Sequence, residues 1–141
     1  MATLKRNIEK QLYSAAKQLV EERYPLGWGG AAAIRIENGT ILTSVSPEVE
    51  NDALSLCMEV GALLEANKLN KAVTHSLCIY RESETSEYNI LTPCGICQER
   101  LITWGHDVQV AITNSENILH FLSLSQLMPH HWSKVNGKQQ Q

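Results

Sequence analysis

Pro93-Cys94-Gly95-Ile96-Cys97, taken with Cys57-Met58-Glu59 upstream, decides how the rest of the chain is read. Proline suits the first turn of a helix, where its missing N–H costs nothing. Two cysteines three residues apart on a helix share one face and can reach one ion. The upstream element adds a third thiol, with a carboxylate two residues beyond it. This donor set suits a hydrolytic zinc centre. Structural zinc sites take four protein ligands, whereas hydrolytic ones take three and leave the fourth position to water, whose pKa falls to roughly 7. Both cysteine segments are expected to open helices. The positive end of each helix dipole, worth a fraction of a kcal/mol to about 1 kcal/mol, then favours the thiolate form.

Working outward, apolar residues at Leu4, Ile8, Leu12, Ala15, Ala16, Leu19 and Val20 recur at spacings of three and four, with charges between them. The spacing predicts an amphipathic helix that stops near Pro25 and Gly27. The runs Ala31 to Glu37 and Thr40 to Val45 flank Asn38-Gly39, a strong hairpin signal. Asn51 and Asp52 are expected to cap a helix running to about Asn67, with Cys57 and Glu59 in its early part. Val73 to Tyr80 reads as a strand, followed by a polar loop from Arg81 to Asn89 and a short Ile90-Leu91-Thr92 run. Val108 to Thr113 reads as a further strand and Leu122 to Met128 as a terminal helix. Alternating helices and strands with one early hairpin predict an α/β fold: a three-layer α/β/α sandwich around a mixed, roughly five-stranded sheet. One domain is expected over residues 1–132, with a disordered tail over 133–141.

Composition narrows the function. The chain has 141 residues, is 43% hydrophobic and 19% charged, and carries a formal charge of −3. A length of this order suits one domain with a normal core. No basic footprint for a phosphate backbone is present, so nucleic acid is not an expected partner. No apolar run approaches the roughly 20 residues of a membrane span, so no membrane partner is expected. The start turns amphipathic at once, without the apolar core of a secretory signal, which favours the reducing cytoplasm. In that compartment cysteines serve as metal ligands or catalytic groups more often than in disulfides.

A Cys-x-Glu element in one helix and Pro-Cys-Gly-x-Cys opening the next resemble the cytidine deaminase superfamily, in its small three-cysteine branch acting on free nucleosides such as cytidine or blasticidin S. Tyr24 to Ala33 is similar to the family's aromatic-then-Gly/Ala strand entry, and Leu124 to Trp132 to its closing Leu-Leu-Pro-x-x-aromatic element. The resemblance implies hydrolytic deamination of an aminopyrimidine nucleoside, with Zn2+ held by Cys57, Cys94 and Cys97. Glu59 is then the proton shuttle between the activated water, the ring nitrogen and departing ammonia. It also implies a homo-oligomer, a tetramer in which neighbouring subunits complete each site. The family's thiolate-binding arginine is absent from its usual places, which hold Val60 and Gln98, so a retuned enzyme or one of modest activity is expected unless helix dipoles or Arg100 compensate. The Asn-x-Glu element that reads ribose is altered as well. Glu48 and Glu50 lie in that region, suited to hydroxyls or to a cationic substituent on a nucleoside antibiotic, and Trp28 is a candidate to stack on a base.

Two other interpretations are open at this level. Cys-x-x-Cys alone suits a thioredoxin-like redox pair. Cys78 offers a fourth thiol for a structural zinc module, although its place in an apolar strand equally suits core packing. The five histidines have no ligand spacing with the cysteines and read as surface or strand residues, and Glu82 to Glu87 as a solvated loop.

Overall fold

The computed structural model describes residues 2–135. Helix α1 (Ala2–Arg23) leads into β1 (Gly29–Ile36) and β2 (Ile41–Ser44). A 3-10 turn (Asp52–Leu54) follows, then α2 (Val60–Leu69), β3 (Val73–Arg81), β4 (Asn89–Ile90) and α3 (Gly95–Leu101). The fold closes with β5 (Gln109–Ala111), β6 (Phe121–Ser123) and α4 (Leu124–Leu127).

The strands form one mixed sheet in the order β2-β1-β3-β5-β6, with β4 pairing β3 off that path. The hairpin forms at Asn38-Gly39, where Gly39 N–H donates to Ile36 O at 2.8 Å and Thr40 N–H to Asn38 Oδ1 at 3.0 Å. β1 runs antiparallel to both β2 and β3, while β3 and β5 are parallel. β1 is buried along almost its whole length, as a strand covered on both faces must be. Its sequence is therefore a continuous small and apolar run, not an alternating one.

Consecutive residues of β1 face opposite cores. Ala33 meets Leu12 and Ala16 of α1, with Leu77, Ile79 and Phe121 around them. Ile34 and Ile36 meet Ala62, Leu63 and Ala66 of α2 and Leu101 of α3. These are the three layers expected, and truncating a wholly buried residue such as Leu12 to alanine costs about 2–5 kcal/mol.

Three boundaries differ from the sequence expectation. The segment expected to be helical from Asn51 forms only the 3-10 turn, capped by Asn51 Oδ1 accepting from Ala53 N–H at 3.0 Å, and Ser55 then turns extended. The α-helix begins at Val60, so Cys57 precedes it and Glu59 is its N-cap. The expected helix at Leu122 instead starts as strand β6, because Leu122 pairs with Val110 across the sheet. A capping box between Ser123 and Gln126 then starts α4 at Leu124. Ser133, at the head of the expected tail, is buried in a 3-10 turn (Trp132–Lys134). Residues 136–141 lie outside the described ones. Among the described residues no helix is long and apolar enough to cross a membrane.

Candidate metal centre and active-site cavity

Two helix starts converge beside the sheet. Pro93 delivers the chain to Cys94, whose extended backbone makes it the N-cap of α3, and Cys97 follows within the first turn. Gln98 fastens this start by donating from Nε2 to Pro93 O at 2.8 Å.

The other half is held from the sheet. Ser44, the last residue of β2, donates its hydroxyl to Met58 O and accepts from Ala62 N–H at 3.1 Å. One side chain thereby satisfies an amide in the first turn of α2 and pins the segment carrying Cys57 and Glu59. Gly61 permits the approach, since a Cβ there would lie 2.9 Å from Ser44 Cβ.

The Sγ atoms of Cys57, Cys94 and Cys97 lie within 4.8 Å of one another, and those of Cys57 and Cys94 are 3.3 Å apart. Cys97 is buried, Cys57 half-buried and Cys94 exposed. Such a cluster of soft sulfur donors fits a zinc-like ion, whose bonds to thiolates are about 2.3 Å long. Cys78 stands apart. Its thiol donates to Met58 Sδ at 3.3 Å, and among the described residues the metal-holding group contains only the other three cysteines.

The thiols differ electrostatically. Burial raises Cys97 far above the ordinary range, with the Glu59 charge adding to it. Burial, and then the contact with Cys94, raises Cys57 more modestly. Burial also acts on Cys94, but the helix-start amides of Cys97 and Ile96 and the contact with Cys57 outweigh it and draw this thiol down. The dipole benefit expected for both segments is therefore felt by Cys94, which caps its helix directly. Cys57, three residues ahead of α2, does not receive it.

Arg100 Nη1 lies 3.6 Å from Cys97 Sγ, one turn further along α3. Its charge also acts on Glu59. The counter-charge missing at Val60 and Gln98 is thus present at Arg100. Glu59 itself is only 3% exposed. Burial raises its carboxyl above the ordinary value, partly offset by the helix-start amide and by Arg100.

A cavity of about 380 Å³ opens over this cluster, lined by Cys57, Met58, Glu59, Cys78 and Cys94 with Ser46, Ser55, Leu56, Leu91 and Thr92. Its size and its mix of apolar walls with a few hydroxyls are those of a small-molecule site. The lining does not include the three substrate contacts expected from sequence. Trp28, 47% exposed, packs edge-on to Tyr24 with ring centres 6.0 Å apart. Glu48 pairs with Arg23 at 3.0 Å, and Glu50 is exposed. Sequence inspection missed Ser46, Ser55, Leu56, Leu91 and Thr92. Ser55 and Leu56 directly precede Cys57, and Leu91 and Thr92 directly precede Pro93, so adjacency to the two cysteine motifs was the signal that could have found them; Ser46 lies in the loop after the hairpin.

The chain is similar to the cytidine deaminase from Bacillus anthracis over 90% of its own length and 91% of that chain, with 58% identity and a TM-score of 0.88. It also shares a fold with the cytidine deaminase from Burkholderia pseudomallei, at 22% identity and TM-score 0.67, covering 87% of this chain and 98% of that one. The cytidine deaminase from Mycobacterium leprae matches at 19% identity and TM-score 0.66, covering 86% and 97% respectively. No protein-family model matches the sequence, and no curated protein does.

Proposed function

The chain belongs to the cytidine deaminase family, and we propose that it catalyses zinc-dependent hydrolytic deamination of a free aminopyrimidine nucleoside of the cytidine or deoxycytidine type. The observation that carries this is the convergence of a three-thiol cluster and a buried carboxyl, Glu59, on one small-molecule cavity. Cys57, Cys94 and Cys97 would hold the zinc, which when bound supplies a Lewis acid that activates water.

The protein's own groups do the rest. Glu59, with its affinity for protons raised by burial, takes one proton from the attacking water and passes it to the ring nitrogen, then takes the second from the hydroxyl now on the carbon and delivers it to the amino group as the carbon–nitrogen bond breaks. Water and the amine become a ring carbonyl and ammonia, so the atoms balance. Arg100, beside Cys97, offsets the negative charge of three thiolates. Leu56, Met58 and Leu91 exclude water from the ring, while Ser46, Ser55 and Thr92 offer hydroxyls to its polar substituents. In keeping with this role, zinc is the metal, the reducing cytoplasm the compartment, pyrimidine salvage the context and a homo-oligomer the assembly.

The test is ammonia release by the zinc-loaded protein from cytidine, deoxycytidine, cytosine and blasticidin S. The expected outcome is release from the two nucleosides with cytosine a poor substrate. Release from blasticidin S alone would redirect the substrate class to aminated nucleoside antibiotics. Release from none, with zinc still bound, would contradict the assignment.

A further inference from the structure

Met58 lies in the chain between a metal-holding thiol and the proton shuttle, yet neither role uses its side chain. That side chain lines the cavity and is fixed on its far side. At Gly30, on β1, a Cβ would come within 2.5 Å of Met58 Cε and 2.9 Å of its Sδ. The thioether therefore fills the hollow left by the missing side chain. From β3, the Cys78 thiol donates to the same sulfur at 3.3 Å, and the Met58 carbonyl is held by Ser44. Backbone, sulfur and methyl end are each held by a different strand.

We propose that Met58, seated over Gly30 and backed by Cys78, is a specificity-determining residue: it closes the cavity floor and limits the substituent a substrate ring can carry next to its amino-bearing carbon. This rests on the deaminase assignment. The amino-bearing carbon of an aminopyrimidine has two ring neighbours. One is the nitrogen that Glu59 serves. With that nitrogen at Glu59, the other, C5, would face the adjoining wall. The residue joining Cys57 to Glu59 supplies that wall, with Cys78 behind it. A thioether suits the task because it is uncharged, polarizable and close-fitting against a flat ring, and a single methyl in such a contact is worth about 10- to 200-fold in selectivity.

The experiment compares kcat/KM for cytidine and 5-methylcytidine in the wild type, Met58→Ala, Met58→Val, Met58→Leu and Gly30→Ala. Zinc content and thermal melting serve as folding checks. Dissociation constants for uridine and 5-methyluridine give a readout that does not depend on turnover. Met58→Ala is expected to shift both ratios toward the methylated ligand by about tenfold or more. Met58→Val should give an intermediate shift, and stands in should the alanine variant fail to fold. Met58→Leu, close in volume, should keep the wild-type ratios. Gly30→Ala drives the thioether end into the cavity and should shift the ratios the opposite way. Ratios within about twofold of wild type in Met58→Ala or Met58→Val, with cytidine still deaminated, would overturn the proposal. A wild type inactive on every nucleoside would instead contradict the deaminase assignment, and the product-binding ratios would then decide the role of Met58 on their own.

Discussion

Cys94 and Cys97 come from a single helix start, whereas Cys57 and Glu59 come from an irregular segment that β2 holds through Ser44. The α3 half is written locally: a proline, a capping cysteine, a second cysteine one turn on, and Arg100 one turn beyond that. The α2 half is tertiary. Its helix begins only where a serine from another strand can meet the free amide of Ala62 and where Gly61 leaves room for that serine. The three-thiol cluster thus joins a locally formed pair to a third thiol whose position depends on the sheet.

The largest expected effect bears on the thiols proposed to hold the metal. Cys97→Ser removes a buried thiol from the α3 half and should abolish stoichiometric zinc together with ammonia release. Cys78→Ser should retain zinc, because Cys78 lies outside the cluster. Metal analysis by mass spectrometry checks both, and zinc lost from Cys78→Ser would restore the four-cysteine structural site.

Next in size is the charge that serves both halves. Arg100→Gln withdraws a guanidinium from Cys97 and from the surroundings of Glu59. Groups that hold metal ligands in this way are worth about 10- to 100-fold in affinity or activity. Zinc affinity by chelator competition and kcat should therefore fall within that range while the fold persists.

A smaller change separates the halves. Ser44→Ala leaves the Ala62 amide without its partner, at a cost of about 1–3 kcal/mol, which lowers Tm by roughly 3–10 °C. Because the Ser44 hydroxyl bonds to Met58 and Ala62 of the α2 half, zinc-loaded protein should recover most of the lost stability. A variant equally destabilised with and without zinc would mean that the serine braces the sheet and not the site.

The smallest effect lies away from the site and serves as a control. Burial, helped by the charges of Arg35 and Lys5, pulls the His75 imidazole from its usual 6.5 to about 4. Between those values the unfolded chain takes up a proton that the folded one refuses. Stability therefore falls as pH drops from about 6.5 to about 4 and levels off below. The imidazole is partly solvated, so screening holds the loss to about 1 kcal/mol. In His75→Gln that part of the acid sensitivity should vanish from melting curves, with zinc binding at neutral pH unchanged.

What the sequence made legible follows the same division. The hairpin at Asn38-Gly39 and the Pro93 to Cys97 helix start are local codes, and both appear where the pattern puts them. The late start of α2 was not legible, because Ser44 lies across the sheet from it and no periodicity reports a tertiary cap. Nor was β6, whose three residues are a strand only through pairing with β5. The cavity walls were hidden for a related reason. Ser46, Ser55, Leu56, Leu91 and Thr92 lie outside the helices and strands and meet only after folding, while Glu48, chosen by its place in the chain, is engaged by Arg23 at the end of α1.

In the proposed mechanism one buried carboxyl, Glu59, works beside three thiols that hold zinc. The most direct measurement is zinc content and ammonia release from cytidine on the same samples of wild type and Glu59→Ala. Equal zinc is expected in both, with release at least about 100-fold slower in the variant, as removal of a proton shuttle requires. Release undiminished in Glu59→Ala with zinc in place would contradict it.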